Sequence, residues 1–217
     1  MKRVSIIIGL AVLLLALSAC GGEPSPTPEG DPQAYIQQGK ALLDQGKVEE
    51  AIALFETAVK IDPNSIEGHF RLGNAYYEQG RLNDAAAQFQ AAIRLDPNRA
   101  DAISNLGVVY YQQGQLDNAI REFKRALEIT PNDAEIHYDL GAAYVQQQRL
   151  DDAVSEFQEA LRINPNLPEP YFGLGTVHKL RGEKEEAIAA LQRFIELSDS
   201  PQFRAAAESM LNELRSQ

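Results

Sequence analysis

The sequence predicts an all-α fold: an α-solenoid of five helix-turn-helix repeats closed by a C-terminal capping helix. Two observations predict it. Several columns of residues recur every 34 positions between 32 and 199, and within each period apolar residues follow the i, i+3, i+4, i+7 spacing of a one-sided helix. A third observation puts an address ahead of the solenoid, a cationic and then apolar leader that ends in the only cysteine, Cys20.

Taken in order, Met1 to Arg3 form a short basic region and Val4 to Leu17 an apolar run of fourteen residues interrupted by Ser5 and Gly9. That length suits the core of a signal peptide and falls short of the roughly 20 apolar residues of a membrane-spanning helix. Leu17-Ser18-Ala19-Cys20 follows directly and resembles the lipobox of bacterial lipoproteins. The resemblance implies a signal peptide over 1–19, cleavage before Cys20 and two or three acyl chains on that residue, enough for firm membrane attachment. Residues 20–31 continue as a lipidated Cys and tether: Gly21 to Asp31 has no aliphatic or aromatic residue and carries Pro24, Pro26 and Pro28. Such a segment buries nothing and stays solvated and extended, with a reach of roughly 35 Å.

The repeats occupy 32–65, 66–99, 100–133, 134–167 and 168–199. Pro63, Pro97, Pro131 and Pro165 keep the 34-residue step, as do Gly39, Gly73, Gly107, Gly141 and Gly175. Ala51, Ala85, Ala119, Ala153 and Ala187 do the same, as do Phe55, Phe89, Phe123 and Phe157 with Leu191 in fifth place. In the second repeat His69, Leu72, Gly73 and Tyr76 make one stripe; Ala85, Phe89, Ala92, Ile93 and Leu95 make the next. Gly73 and Ala85 let the two helices approach. Gly80 supplies the left-handed residue that ends the first helix, and Asp96, standing before Pro97, leaves the helical region and ends the second. Gln148 replaces this terminating glycine in the fourth repeat. Finally, Ser200-Pro201 opens a capping helix over 200–217 with an apolar stripe of Phe203, Ala207, Met210 and Leu214, because solenoid ends must be covered.

This pattern resembles the tetratricopeptide repeat (TPR). The resemblance implies a right-handed superhelix whose first helices line a concave groove. Carried over to this chain, the groove residues are Phe70, Asn74, Tyr77, Ser104, Asn105, Val108, Tyr111, Tyr138, Ala142, Val145, Phe172 and Thr176. Aromatic anchors beside neutral amides suit an extended peptide. Tyr76, Tyr110 and Tyr144 are expected to pack between repeats. Of the cationic set with which some TPR proteins grip a terminal carboxylate, only Asn74 has a counterpart.

Charge narrows the partner. The formal net charge is -11, and removing the first twenty residues leaves 18 basic against 31 acidic side chains. Phosphate backbones are repelled by such a field, so no nucleic acid is expected. No catalytic motif stands in the sequence, so an enzyme is not expected, nor is a cofactor. His69 and His137 sit two repeats apart, roughly 20 Å by ordinary helix spacing, and no metal is expected. The sequence thus implies a scaffold in the cell envelope, anchored on the extracytoplasmic side of a bacterial membrane through acyl chains on Cys20. It would bind a protein or extended peptide in its groove and support assembly of an envelope complex. An accessory or regulatory subunit of a membrane-bound or cell-wall enzyme, and a self-associating structural protein, remain the alternatives.

Overall fold

The computed structural model describes residues 30–216; the expected signal peptide, Cys20 and the tether as far as residue 29 lie outside the described residues. Eleven helices follow, with no strand among the described residues. Five antiparallel pairs are α1 (Pro32–Leu43) with α2 (Val48–Ile61), α3 (Ile66–Glu78) with α4 (Leu82–Leu95), α5 (Ala100–Gln112) with α6 (Leu116–Ile129), α7 (Ala134–Gln146) with α8 (Leu150–Ile163), and α9 (Glu169–Arg181) with α10 (Lys184–Leu197). The last helix, α11 (Pro201–Ser216), packs on α10.

Local chemistry sets the boundaries. Asp31 caps α1 by accepting from the Gln33 amide at 3.0 Å, so this last residue of the tether belongs to the fold. Ser65 caps α3 through the Gly68 amide at 3.1 Å, and Asp133 caps α7 through the amides of Glu135 and Ile136. Each first helix ends in a left-handed residue: Gly46, Gly80, Gly114, Gly182 and, at φ 59°, Gln148. The second helices stop at Asp62, Asp96, Thr130 and Asn164, each one residue before a repeating proline.

Within a pair the contact is a glycine against a ring. A Cβ added to Gly73 would lie 2.7 Å from Phe89, and one on Gly141 would lie 2.6 Å from Phe157. Phe157 also has Gly173 of the next repeat on its other side. The aromatic column is fully buried and runs through a core continuous from Ile36 to Val177. A smaller core joins α10 to α11 through Leu191, Phe194, Ala207, Leu211 and Leu214. Two apolar residues depart from the expected stripes. Leu95, in the last turn of α4, is 36% exposed. In α11 the buried line is Ala207, Leu211 and Leu214, while Phe203 is 59% exposed because it faces an open cleft one turn before that line begins.

Curvature follows from which helices touch across repeats. The first helices of adjacent repeats contact one another, α1 with α3, α3 with α5, α5 with α7 and α7 with α9. The second helices have no comparable contact with one another. Closer spacing on one side bends the stack toward that side, so the first helices line its concave face.

Candidate functional site

The concave face brings together eleven of the twelve groove residues as partly exposed side chains in three lines. Ser104, Tyr138 and Phe172 form one; Asn74, Val108, Ala142 and Thr176 the second; Tyr77, Tyr111 and Val145 the third; Asn105 lies beside them. Phe70 is the correction. It is only 7% exposed, packs on Phe89 with ring centroids 6.0 Å apart, and is roofed by the Arg99 guanidinium 4.2 Å above its ring. Glu67 and Asp101 hold Arg99 there at 2.8 and 2.9 Å. A planar cation stacked on a ring and gripped on both edges covers it more firmly than a lysine would. The groove floor therefore closes at Phe70.

Polar groups stitch the open part across repeats. The Asn105 Nδ2 amide donates to Asn74 Oδ1 at 2.8 Å. That leaves the Asn74 amide hydrogens and the Asn105 carbonyl oxygen, one donor and one acceptor set, without a partner in the fold. Gln112 donates to the Tyr77 hydroxyl at 2.5 Å and Gln146 to the Tyr111 hydroxyl at 2.8 Å. Each phenol so held as an acceptor keeps its own hydrogen for a further acceptor. Gln112 and Gln146 escaped the sequence reading although they too keep the 34-residue step. The hydroxyls of Ser104 and Thr176 donate instead to their own helix, at Asp101 O (3.1 Å) and Phe172 O (2.9 Å).

Asp139 was also missed, though it stands one period after Asn105. It lines a cleft of about 330 Å³ with Ser104, Asn105, Val108, Asp101 and Glu135. Burial pushes its carboxyl up to about 7, and the charges of Glu135 and Asp133 add to the effect. Burial, then Asp139 and Glu169, likewise push the Tyr138 phenol up to about 12. Next along the groove is an apolar cleft of about 590 Å³, walled by Tyr138, Phe172, Phe194, Leu197 and Phe203.

The remaining candidates are structural. Tyr76 donates to Glu56 of the preceding repeat at 2.6 Å, Gln90 donates to the Tyr110 hydroxyl at 2.9 Å, and Tyr144 is 2% exposed under Arg149. His69 lies between Gln88 and the Pro63 carbonyl (2.7 and 3.0 Å), and His137 between Glu156 and the Pro131 carbonyl (2.6 and 3.2 Å). His178 meets Glu183 at 2.5 Å. Among the described residues no three His, Cys, Asp or Glu side chains group so as to hold a metal ion, and no helix is long and apolar enough to cross a membrane.

Known proteins share this architecture. The chain superposes on the crystal structure of MamA with a TM-score of 0.68 at 26% identity, over 73% of this chain and 92% of that one. It superposes on YrrB, described as a TPR protein with an unusual peptide-binding site, with a TM-score of 0.67 at 23% identity, over 83% and 93%. A thermophilic TPR protein of Thermus thermophilus gives a TM-score of 0.67 at 24% identity, over 83% and 98%. Among curated proteins nothing matches. The TPR repeat profile matches residues 39–80, 73–114, 109–148 and 141–182, and a second tetratricopeptide profile matches 171–199. These matches cover well over half of the sequence, and the chain belongs to the tetratricopeptide-repeat family, whose repeats build scaffolds for protein–protein interaction.

Proposed function

We propose that the protein is a non-enzymatic scaffold, held by acyl chains on Cys20 at the extracytoplasmic side of a bacterial membrane, that binds an extended segment of a partner protein in its concave groove. The observation that carries the binding half is the Asn74–Asn105 pair, 2.8 Å apart, flanked by the half-exposed Tyr77 and Tyr111. A backbone carbonyl and N–H of a partner match what that pair leaves unsatisfied, and the rings supply contact area that loses little entropy on binding. The anchoring half is supported by Leu17-Ser18-Ala19-Cys20 directly behind the apolar run. Assembly of an envelope complex follows from joining the two halves.

Crosslinking in intact cells, followed by identification of the captured chain, tests the binding half. The Tyr77→Ala, Tyr111→Ala double variant should lose that capture while keeping its melting temperature; undiminished capture by a folded variant would remove the groove from the function. Metabolic labelling with an alkyne fatty acid tests the anchor. The label should vanish in Cys20→Ser, and wild-type protein that takes up no label would sink it.

A further inference from the structure

The groove is not chemically uniform along its length, and the difference points to a class of partner. Toward its C-terminal half, Asp101, Asp133, Glu135 and Asp139 line one cleft, and Glu169 with Asp199 lines the next. No Lys, Arg or His side chain lines either cleft, and several basic groups nearby are engaged with carboxylates. Arg99 is held by Glu67 and Asp101 (2.8 and 2.9 Å), Lys179 by Glu213 (2.6 Å) and Arg181 by Asp151 (2.5 Å), while His137 faces Glu156 (2.6 Å). No hydrogen bond or ion pair to Asp139 exists among the described residues; its largely buried carboxyl shares its surroundings with the carboxyls of Glu135 and Asp133, the phenols of Tyr77 and Tyr138, and the polar side chains of Ser104 and Asn105. Beside it, across Tyr138, opens the apolar cleft, at whose rim Phe203 is 59% exposed. A ring left so open stands out, since the aromatic column of the repeats is fully buried.

Resting on the reading of the groove as a peptide site, we infer that its C-terminal half takes a basic-apolar segment of the partner: a Lys or Arg side chain against Asp139, and a neighbouring bulky apolar side chain in the cleft of Phe172, Phe194 and Phe203. Charge complementarity selects the cation. An acidic or phosphorylated segment would meet the carboxyl groups of Asp133, Glu135 and Asp139, none of them paired with a base, and no basic side chain on the cleft's lining, whereas a cation meets a carboxylate that water only partly solvates, the setting in which a charge-assisted hydrogen bond is strongest. The aromatic wall of the next cleft selects the neighbour: its volume of about 590 Å³ admits a Phe or Leu side chain against Phe172, Phe194 and Phe203, with Asn166, Ser198 and Ser200 on the same lining. Because burial keeps Asp139 partly protonated near neutral pH, a bound cation drives its proton off, so binding releases protons.

The test selects binders from a displayed library of random dodecapeptides on the full chain, with the Tyr77→Ala, Tyr111→Ala variant as the counter-target. The selected sequences should carry Lys or Arg next to Phe, Tyr, Leu or Met. Replacing that base by Gln, or Asp139 by Asn, should weaken binding about tenfold, and Phe203→Ala should weaken it several-fold. Calorimetry at pH 6.5 in buffers of different ionisation enthalpy should show proton release with wild type and none with Asp139→Asn. Selected peptides that lack a base, or that bind Asp139→Asn equally well, overturn the inference and leave the groove standing. A library that enriches nothing over the counter-target overturns both. Because Asp139→Asn relieves a burial penalty, it should melt no lower than wild type, and a thermal melt of the same sample separates lost binding from unfolding.

Discussion

Asp139 makes the stability of the fold depend on pH in a direction opposite to that of a salt-bridged carboxylate, and Asp139→Asn isolates the effect. Its carboxyl rises from an ordinary 3.8 to about 7, first through burial and then through Glu135 and Asp133. Below about pH 4 the group is neutral in the folded and unfolded chain alike and contributes nothing. Between about 4 and 7 the unfolded chain releases its proton while the folded chain retains it, so stability falls as pH rises; above 7 the loss is complete. Each pH unit between those values is worth about 1.4 kcal/mol, giving a ceiling of roughly 4 kcal/mol, and because the cleft opens to solvent the expected loss is about 2 kcal/mol. In a domain of this size that is a shift of roughly 4–8 °C in melting temperature. Thermal melts of wild type and Asp139→Asn, followed by circular dichroism at 222 nm, should coincide near pH 4. At pH 8 the variant should melt higher by that amount. The many exposed carboxylates titrate in both proteins and cancel in the comparison. Equal melting temperatures at pH 8, or a variant that melts lower there, would refute the reasoning.

Other perturbations test the packing and the backbone. Gly141→Ala puts a Cβ 2.6 Å from Phe157, a ring that Gly173 of the next repeat also abuts; overpacking of about 1–3 kcal/mol, less about 1 kcal/mol of helix propensity gained, should lower stability by up to about 2 kcal/mol in urea, and a raised midpoint would contradict it. Gln148→Gly keeps a turn whose hydrogen bonds, Gln148 N to Val145 O and Arg149 N to Tyr144 O at 2.9 Å each, already match those at Gly80 and Gly114. It should therefore gain about 0.5–1 kcal/mol, read in the same assay, and a loss would mean that the left-handed conformation is not strained. Tyr76→Phe removes the 2.6 Å bond to Glu56 between the first two repeats and should cost about 1 kcal/mol, with no effect on peptide binding.

The repeat, its helix ends and its buried columns could be read from the sequence because each rests on a requirement that only a few residues meet. A ring packed on a helix backbone needs glycine opposite, which fixes Gly73 against Phe89 and Gly141 against Phe157. A left-handed helix end favours glycine, which fixes Gly80 and makes Gln148 visible as a departure. Groove positions carry no such requirement: any side chain fits an open face. Their state depends on long side chains from elsewhere, as when Arg99 from the next repeat roofs Phe70. The same reason hid Asp139. An aspartate in a period that also holds Asn105 reads as an ordinary solvated residue until the walls of its cleft are in place. Phe203 illustrates the converse, since helical periodicity put it on the stripe of α11 but could not show that the stripe overlaps α10 only from Ala207 onward.

The asymmetry of the groove gives the proposed anchor a geometric meaning. Only the eleven residues 21–31 separate Cys20 from the first turn of α1, a span of roughly 35 Å at most. If Cys20 carries the proposed acyl chains, the first repeat is the one tethered nearest the membrane, and each later repeat follows about 10 Å farther along the stack. At the near end the second repeat is closed by Arg99 over Phe70; at the far end the acidic cleft and the aromatic cleft are both open. An anionic membrane surface would compete for any basic segment within about 10 Å of it, where its potential is felt. With Cys20 acylated as proposed, the cation-seeking part of the groove would lie toward the end of the stack farther along the chain from the anchor, where that competition would be weaker.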